Sequence, residues 1–330
     1  MSASFQVLQR HTAQPLPAEL NPESALFSSQ RKSRKHRTIT FVELPEWMKD
    51  NEFILTGYRG ELNSWWKCLE SVFGYLHNET VNIHTHLHAS ILFAFFLLHT
   101  VNDSYFKAHV DISWADRAVF VVFLSSAVFC LFCSAFFHMA SSHSKQVAAR
   151  CNALDYSGII ALILGSCYPC LYYGFYCEPH YKVGYLLLIT LAGIAAAYIV
   201  LSPEYAKPTH RHARTRVFIA LGLCSVLPVS HLILSHGIHA LFREMGFFWL
   251  LAAGAMYITG ALPSGWLTYL ILTHTSANRV PERLAPGRFD RFFSSHQIFH
   301  VFVVLAALST YSCVLAAFEH RHSRSGMCVA

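Results

Sequence analysis

Long apolar stretches without Asp, Glu, Lys or Arg recur along the chain from residue 86 onward. Seven of them predict membrane-spanning helices, over residues 86–102, 118–144, 156–177, 183–203, 217–242, 245–278 and 292–318. Each is close to or above the roughly 18 residues that a helix needs to cross a bilayer. Histidines interrupt the first and the fifth stretch, and we keep both as spans. The pattern therefore predicts an all-α membrane protein with seven transmembrane helices.

Composition agrees with a membrane protein. The 330 residues are 54% hydrophobic and only 13% charged, and the mean hydropathy is +0.35. These values are typical of chains embedded in lipid. We expect a multi-pass integral protein of the plasma membrane or of an endomembrane such as the ER or Golgi, with membrane lipid as a partner and no nucleic acid.

The region before the first span is polar and carries a basic run, Arg31–Arg37, where a secretory signal would be apolar. We therefore expect it to stay in the cytosol. Four regions are predicted: a disordered basic cytosolic tail (1–43), a structured cytosolic N-terminal segment (44–84), a seven-helix transmembrane domain (85–318) and a short extracellular or luminal tail (319–330).

The distribution of basic residues predicts the orientation, because retained basic loops mark the cytosolic side of a membrane. With the N-terminus in the cytosol and the C-terminus outside, most of the 25 Lys and Arg residues lie inside. The outer side receives Lys107, Arg117, Lys182, Arg243, Arg321 and Arg324. This orientation is opposite to that of rhodopsin-like receptors.

The ten cysteines lie mostly inside the predicted spans and do not form a disulfide framework. The pairs Cys130 with Cys133, and Cys167 with Cys170, have CxxC spacing but no further ligands nearby, so we interpret them as small packing residues. Cys177, at a helix end predicted to lie outside, can pair with another cysteine, although an unpaired thiol is the interpretation that we favour.

Three histidines are predicted to lie at one depth, near the cytosolic leaflet. The second span ends near His138 and the seventh begins near His296. His296 and His300 are four residues apart, so both lie on one helix face, about one turn apart. Three imidazoles with a fourth position left to water are typical of a catalytic zinc site. The alternative is an HxxxH pair arising by chance among 21 histidines. The cost of placing ionisable groups in a membrane favours Zn²⁺ bound by His138, His296 and His300.

Two polar residues are candidates for catalysis beside this site. Ser134 lies four residues before His138 and can bond the zinc water or a ligand, or it bonds back to its own helix. Asp155 opens the third span, where it is either a general base or a carboxylate favoured by the helix dipole. The histidines His84, His86 and His88 at the mouth of the first span are interpreted as packing or capping residues. The absence of an HxxHH motif in the sequence argues against a di-iron desaturase.

Several longer motifs resemble a known family. They are LPEWMKDNEFILTGYR from Leu44, HNETVNIHTH from His77, CSAFFHMASSHS from Cys133, LDYSGI from Leu154, RVPERLAPGRFD from Arg279 and SSHQIFHVFVV from Ser294. From Leu44 to the end of the last span, the chain resembles the progestin and adipoQ receptor family, which includes adiponectin receptors and fungal Izh proteins, within the hemolysin III superfamily. One departure is His84, where the family usually has Trp.

The resemblance implies an N-inside topology and a zinc ion bound by His138, His296 and His300, with Ser134 and Asp155 in the same site. It also implies that Glu79, Asn82 and His86 form the family's first motif. The family is associated with receptor signalling, lipid and zinc homeostasis, and ceramidase-like hydrolysis.

We therefore expect a zinc-binding receptor that also hydrolyses the amide of a ceramide-like sphingolipid. Asp155 accepts a proton from water in this mechanism, and zinc or Ser134 stabilises the carbonyl oxygen. The alternative is a non-catalytic receptor for a lipid or fatty-acid-like ligand, with a structural zinc. An extracellular protein is a further candidate ligand.

Overall fold

The computed structural model describes residues 37–102, 106, 112–202, 205, 210–261 and 279–323. A 3-10 turn, Glu46–Met48, precedes ten α-helices within them. The helices are α1 (Trp65–Gly74), α2 (Thr80–Val101), α3 (Trp114–Ala140), α4 (Lys145–Gly174), α5 (Pro179–Val200), α6 (Arg211–Leu223), α7 (Val226–His236), α8 (Ile238–Glu244), α9 (Phe247–Ala261) and α10 (Ser295–Arg321).

The helices confirm the predicted all-α membrane architecture. Six helices are long and apolar enough to cross a bilayer: α2, α3, α4, α5, α10 and the continuous stretch Ala213–His236 that joins α6 to α7. A bent pair, Ile238–Glu244 with Phe247–Thr259, makes a seventh span if it is counted as one. In the described residues, β-structure amounts to one isolated bridge, between Ile39 and Tyr58.

Several of the predicted span limits differ from the limits of the helices or extend beyond the described residues. The first helix begins at Thr80 rather than at residue 86. The fifth span ends at His236, because Gly237 has a φ of +82° and the chain turns into α8. Hydropathy alone does not detect such a turn, since both sides of it are apolar. The sixth predicted span continues past Ala261 into residues 262–278, which lie outside the described part.

Small residues allow α3 and α4 to pack closely. A Cβ atom added at Gly158 of α4 would lie 2.8 Å from the Cα of Cys130 on α3, and one added at Gly165 would lie 2.0 Å from the hydroxyl of Ser126. Cys130 is buried and its thiol is free, which confirms its prediction as a packing residue. Such contacts between small residues are common where membrane helices approach each other. This packing fixes the position of α4 relative to α3.

Two ends of the helix bundle are defined by contacts between termini. At one end, called the site end below because the candidate site lies there, side-chain hydrogen bonds join the start of α2, the last turn of α3 and the first turn of α10. At the far end, the Tyr173 hydroxyl of α4 donates to Asp116 of α3 (3.1 Å), and His322 after α10 lies 3.3 Å from the same carboxylate. The consecutive helices α2, α3 and α4 therefore run antiparallel, and α10 begins at the same end as α2.

A segment before α1 lies across the site end. The carboxylate of Asp290 accepts hydrogen bonds from the backbone N–H groups of Leu55 (2.9 Å) and Thr56 (2.8 Å). Glu282, which is buried, accepts from Asn51 (3.1 Å) and from the backbone N–H of Ser295 (2.8 Å), the first residue of α10. Carboxylates are favoured at a helix N-terminus, where N–H groups lack partners within the helix. These bonds fix the start of α10 relative to the N-terminal segment.

Candidate metal centre

Three histidines from two helices meet at the site end. His138 lies in the last turn of α3, and His296 and His300 lie on one face of the first two turns of α10. One ring nitrogen from each lies within 4.8 Å of the others. His138 and His300 are buried, whereas His296 is exposed. The structure thus brings together the three residues that the sequence analysis selects as metal ligands.

Outer hydrogen bonds orient two of the imidazoles. The Nδ1 atom of His138 lies 2.6 Å from the carboxylate of Glu79, and the Nδ1 atom of His300 lies 3.1 Å from the carbonyl oxygen of Asn82. Both partners are acceptors, so each Nδ1 is placed to donate to them, and each Nε2 is the nitrogen left to face a metal ion. Histidine ligands of metal ions typically donate their second N–H to a carboxylate or carbonyl in this way.

The spacing of the nitrogens fits a shared ion. The Nε2 atoms of His138 and His296 are 3.3 Å apart. Two nitrogens that each lie about 2.0–2.1 Å from a tetrahedral zinc ion are about 3.3 Å from each other. Three imidazole nitrogens also suit zinc among the common metals, although copper, iron and nickel accept the same ligands. The residues present can therefore hold a divalent transition metal.

The first turn of α2 forms one wall of the cluster. The Glu79 carboxylate also accepts a hydrogen bond from the side chain of Asn82 (2.7 Å). His86 is buried; its ring stacks on His300 at 3.8 Å between centroids and its Nε2 lies 3.2 Å from the His300 carbonyl oxygen. From its position in the sequence alone we expected packing or capping from His86, and it packs directly against a candidate ligand. Its Nδ1 has no hydrogen-bond partner among the residues that the structure describes.

Glu79 is a residue that reasoning from spacing missed. It precedes the apolar run of the first span, so it resembled an ordinary acidic residue at a helix start. Only the family resemblance pointed to it, together with Asn82. Burial alone would raise the pKa of Glu79, but the interaction with His138 and the hydrogen bond from Asn82 hold it below its usual range. The carboxylate is thus ionised beside His138.

Two buried groups outside the spans support this wall. The guanidinium of Arg59 donates to the backbone carbonyl oxygens of His138 (2.5 Å) and Met139 (2.9 Å), which end α3. His77 accepts a hydrogen bond from the backbone N–H of Glu79 at Nδ1 (3.1 Å), and its Nε2 lies 3.2 Å from the carbonyl oxygen of Ser71. Burial, with a smaller contribution from Arg59, lowers the pKa of His77 from 6.5 to about 3. His77 is therefore neutral at physiological pH.

The two candidate catalytic residues lie beside His138. Ser134 is buried one turn before His138 on α3. Asp155, in the third turn of α4, interacts with the Ser134 hydroxyl and lies close enough to His138 for an electrostatic interaction. Asp155 is thus not the first-turn carboxylate that the alternative interpretation requires. A carboxyl group and a hydroxyl group therefore lie next to the histidine cluster.

The chain matches known proteins over most of its length. The sequence profile described as Haemolysin-III related matches residues 74–311. The chain is 38% identical over 277 residues to progestin and adipoQ receptor-like protein 1 of Caenorhabditis elegans, covering 83% of this chain and 59% of that protein. It is 35% identical over 286 residues to the ADIPOR-like receptor IZH2 of Saccharomyces cerevisiae, covering 87% and 86%.

A plant relative bears on the number of spans. Heptahelical transmembrane protein 1 of Arabidopsis thaliana is 36% identical over 302 residues, covering 88% of this chain and 85% of that protein. Its name agrees with six long spans and one bent pair here. This is a multi-pass integral membrane protein, and the chain belongs to the Haemolysin-III related family of progestin and adipoQ receptor-like proteins.

Proposed function

We propose that this protein is a zinc-dependent hydrolase of a lipid amide, with His138, His296 and His300 as the zinc ligands. The observation that supports this most directly is the convergence of three imidazole nitrogens next to a carboxylate and a hydroxyl. A zinc ion held by three imidazoles supplies Lewis acidity, which makes water a stronger acid and polarises a carbonyl oxygen. A site with only a structural role has no need of the adjacent acid–base pair.

The side chains around the cluster have distinct roles in the proposal. Asp155 accepts the proton of the attacking water and returns it to the amide nitrogen as the carbon–nitrogen bond breaks. The Ser134 hydroxyl, which interacts with Asp155, stabilises the carbonyl oxygen as it gains negative charge. Glu79 and Asn82 hold the rings of His138 and His300 in the orientation that directs both Nε2 atoms to one point.

The position of the cluster favours a lipid substrate. It lies at the ends of spans, where a headgroup meets the acyl chains, and the exposed His296 ring opens it to that boundary. An amide near the headgroup can reach the cluster while its chains stay in the bilayer. A ceramide-like sphingolipid has this arrangement, and we propose it as the substrate class.

The proposed orientation places the cluster near the cytosolic leaflet. Cys177, after the far end of α4, is disulfide-bonded, so our preference for an unpaired thiol there was wrong. Disulfides persist in oxidising compartments rather than in the cytosol. The far end is therefore proposed to face outside, as the distribution of Lys and Arg also predicts.

Metal analysis of the purified protein tests the first step of the proposal. We expect about one zinc per wild-type chain, which is the stoichiometry of a single three-histidine site, and loss of most of it in His300→Ala. His99→Ala is a matched control, because His99 is an exposed histidine near the far end of α2. Zinc retained by His300→Ala at the wild-type level would reject the ligand set.

Ceramide hydrolysis by the same samples tests the second step. We expect Asp155→Asn to keep its zinc and to lose turnover. The names of the relatives favour a second candidate, a receptor that binds a ligand and uses the zinc structurally. Two results together would reject the hydrolase and support that receptor. The wild-type protein would contain zinc but show no turnover, and Asp155→Asn would bind the ligand as the wild type does.

A further inference from the structure

Helix α1 has three faces of different character. Successive residues of a helix are rotated by about 100°, so residues three and four apart share a face. Cys68, Ser71 and Val72 form one face and are buried against the protein. The second face carries four large apolar side chains that are exposed, namely Trp65 (48%), Trp66 (73%), Leu69 (47%) and Phe73 (75%).

The third face of α1 is polar and exposed, with Lys67 and Glu70. The helix is only ten residues long, so it is too short to span a bilayer. A helix with one face on protein, one apolar face exposed and one polar face exposed fits the plane between lipid and water. Two tryptophans at its start agree with this position, since Trp is enriched at membrane–water interfaces.

The apolar face of α1 continues into the lipid-facing surface of α3. The Trp65 ring stacks on Phe136 at 5.8 Å between centroids, and Phe136 stacks on Phe132 at 6.2 Å. Phe132 is 52% exposed on a membrane span. Lipid that covers Phe132 is therefore adjacent to the exposed face of α1, which argues for lipid rather than another protein as its occupant.

The buried face of α1 is connected, through other residues, both to the backbone of His138 and to its imidazole ring. The Ser71 hydroxyl accepts a hydrogen bond from Arg59 (2.9 Å), and Arg59 donates to the His138 carbonyl oxygen. The Ser71 carbonyl oxygen contacts His77, and His77 holds the backbone N–H of Glu79. The Glu79 carboxylate in turn contacts the His138 ring. Ser71 is thus two contacts from the backbone of His138 and three from its ring.

We infer that α1 is a membrane-interface anchor for the histidine cluster. Trp66, Leu69 and Phe73 insert at the boundary between headgroups and acyl chains of the leaflet at the site end. Lipid thereby fixes α1, and α1 fixes the frame of His138 through Arg59 and through His77 with Glu79. The anchoring role of α1 rests on the proposed metal site. The position of α1 at the membrane interface does not depend on that site.

Fluorescence quenching tests the position of α1. Wild type and Trp66→Phe are reconstituted into phosphatidylcholine nanodiscs whose acyl chains are brominated either near the headgroup or near the terminal methyl group. The difference between the two proteins reports Trp66 alone. We expect bromines near the headgroup to quench this component more strongly. Quenching by aqueous iodide, with none by either lipid, would overturn the proposal.

Cobalt binding in the same nanodiscs tests the anchoring role, because Co²⁺ bound by three imidazoles has a visible spectrum independent of activity. We expect the double variant Trp66→Gln, Phe73→Gln to bind Co²⁺ up to about 10-fold more weakly, at the low end of effects of outer residues on metal sites. Trp114→Gln is the matched control, since Trp114 is 82% exposed at the far end. Equal affinity in all three proteins would overturn the anchoring role.

The two measurements separate this inference from the proposed function. Failure of wild type to bind Co²⁺ would reject the metal site and the anchoring role with it, and the quenching result would still decide where α1 lies. The substituted side chains are exposed, so the variants are expected to fold, and their size-exclusion profiles check this.

Discussion

His138 is held on its side chain and on its backbone at the same time. Glu79 contacts the ring at Nδ1, and Arg59 donates to the carbonyl oxygen. A carbonyl in the last turn of a helix has no partner within the helix, so a guanidinium there both satisfies it and complements the helix dipole. The two contacts leave the His138 ring little freedom to rotate away from His296 and His300.

Removal of the Glu79 carboxylate is expected to weaken metal binding. Glu79→Ala deprives the His138 Nδ1–H of its acceptor, and the loss of such an outer contact typically costs 10- to 100-fold in affinity, so we expect a decrease of about that size. Glu79→Gln should lose less, because an amide oxygen still accepts the hydrogen bond. Competition with a chelator of known zinc affinity measures the difference.

Glu61→Ala is the control for the effect of charge, since Glu61 is an exposed acidic residue of the N-terminal segment. It should retain wild-type affinity. If Glu79→Ala bound zinc as tightly as Glu61→Ala, the carboxylate would have no role in orienting His138.

His77 is expected to make stability depend on pH. Its pKa is 6.5 in the unfolded chain and about 3 in the folded protein, because burial disfavours the charged ring. As pH falls below about 6.5, the unfolded state binds a proton that the folded state excludes, so stability decreases until about pH 3. Between pH 7 and pH 5 the loss from this residue is about 2 kcal/mol.

Thermal unfolding of wild type and His77→Gln at pH 7 and pH 5 measures this contribution. The variant should be less stable at pH 7, since Gln reproduces the contacts to Ser71 and Glu79 incompletely. It should lose less on acidification than wild type does, because Gln does not titrate. An equal loss in both proteins would mean that other groups carry the pH dependence.

At the scale of helices, the close contact of α3 with α4 sets the distance between Ser134 and Asp155. Gly158 lies one turn after Asp155, where an added Cβ would approach the Cys130 Cα to 2.8 Å. Because the neighbouring atom belongs to the backbone, the helices must separate to accept even a methyl group. Overpacking of this kind costs roughly 1–3 kcal/mol.

Gly158→Ala is therefore expected to lower both stability and ceramide turnover, with zinc content retained because the three candidate ligands lie on α3 and α10. Melting temperature, hydrolysis rate and metal content measure the three effects. Gly184→Ala on α5 is the control, because nothing lies within 4 Å of its added Cβ. A Gly158→Ala protein with wild-type stability would show that α3 and α4 tolerate a wider spacing.

The sequence predicts a helix well where the length of an apolar stretch sets its limits. It predicts the limits less well where a single backbone angle ends the helix. Hydropathy identifies α3 and α10 because each crosses the bilayer as one continuous apolar helix. It runs through Gly237, since apolar residues on both sides of a turn look like one span. It also starts the first span too late, because Thr80 and Asn82 are polar residues that a helix end in contact with protein accommodates.

At the scale of the whole molecule, the candidate metal ligands could be predicted from the sequence. The residues that hydrogen-bond to these ligands could not. Topology places His138 and His300 at one depth, and helical spacing pairs His300 with His296. The contacts of Glu79 and Arg59 depend on how three segments meet in space. Spacing along the chain carries no information about such contacts, so here only the resemblance to a family pointed to Glu79.

The orientation of the whole molecule leads to a final prediction, based on Cys177. If the far end faces outside, a membrane-impermeant maleimide added to sealed right-side-out vesicles should label Cys177 after reduction and not before, because the disulfide protects the thiol until then. Cys177→Ser should remove the requirement for reduction, because it leaves the partner thiol of the disulfide free to react. The free thiols of Cys68 and Cys151 are buried and should stay unlabelled. Labelling of Cys177 only after the vesicles are opened would place the far end, and not the histidine cluster, in the enclosed compartment.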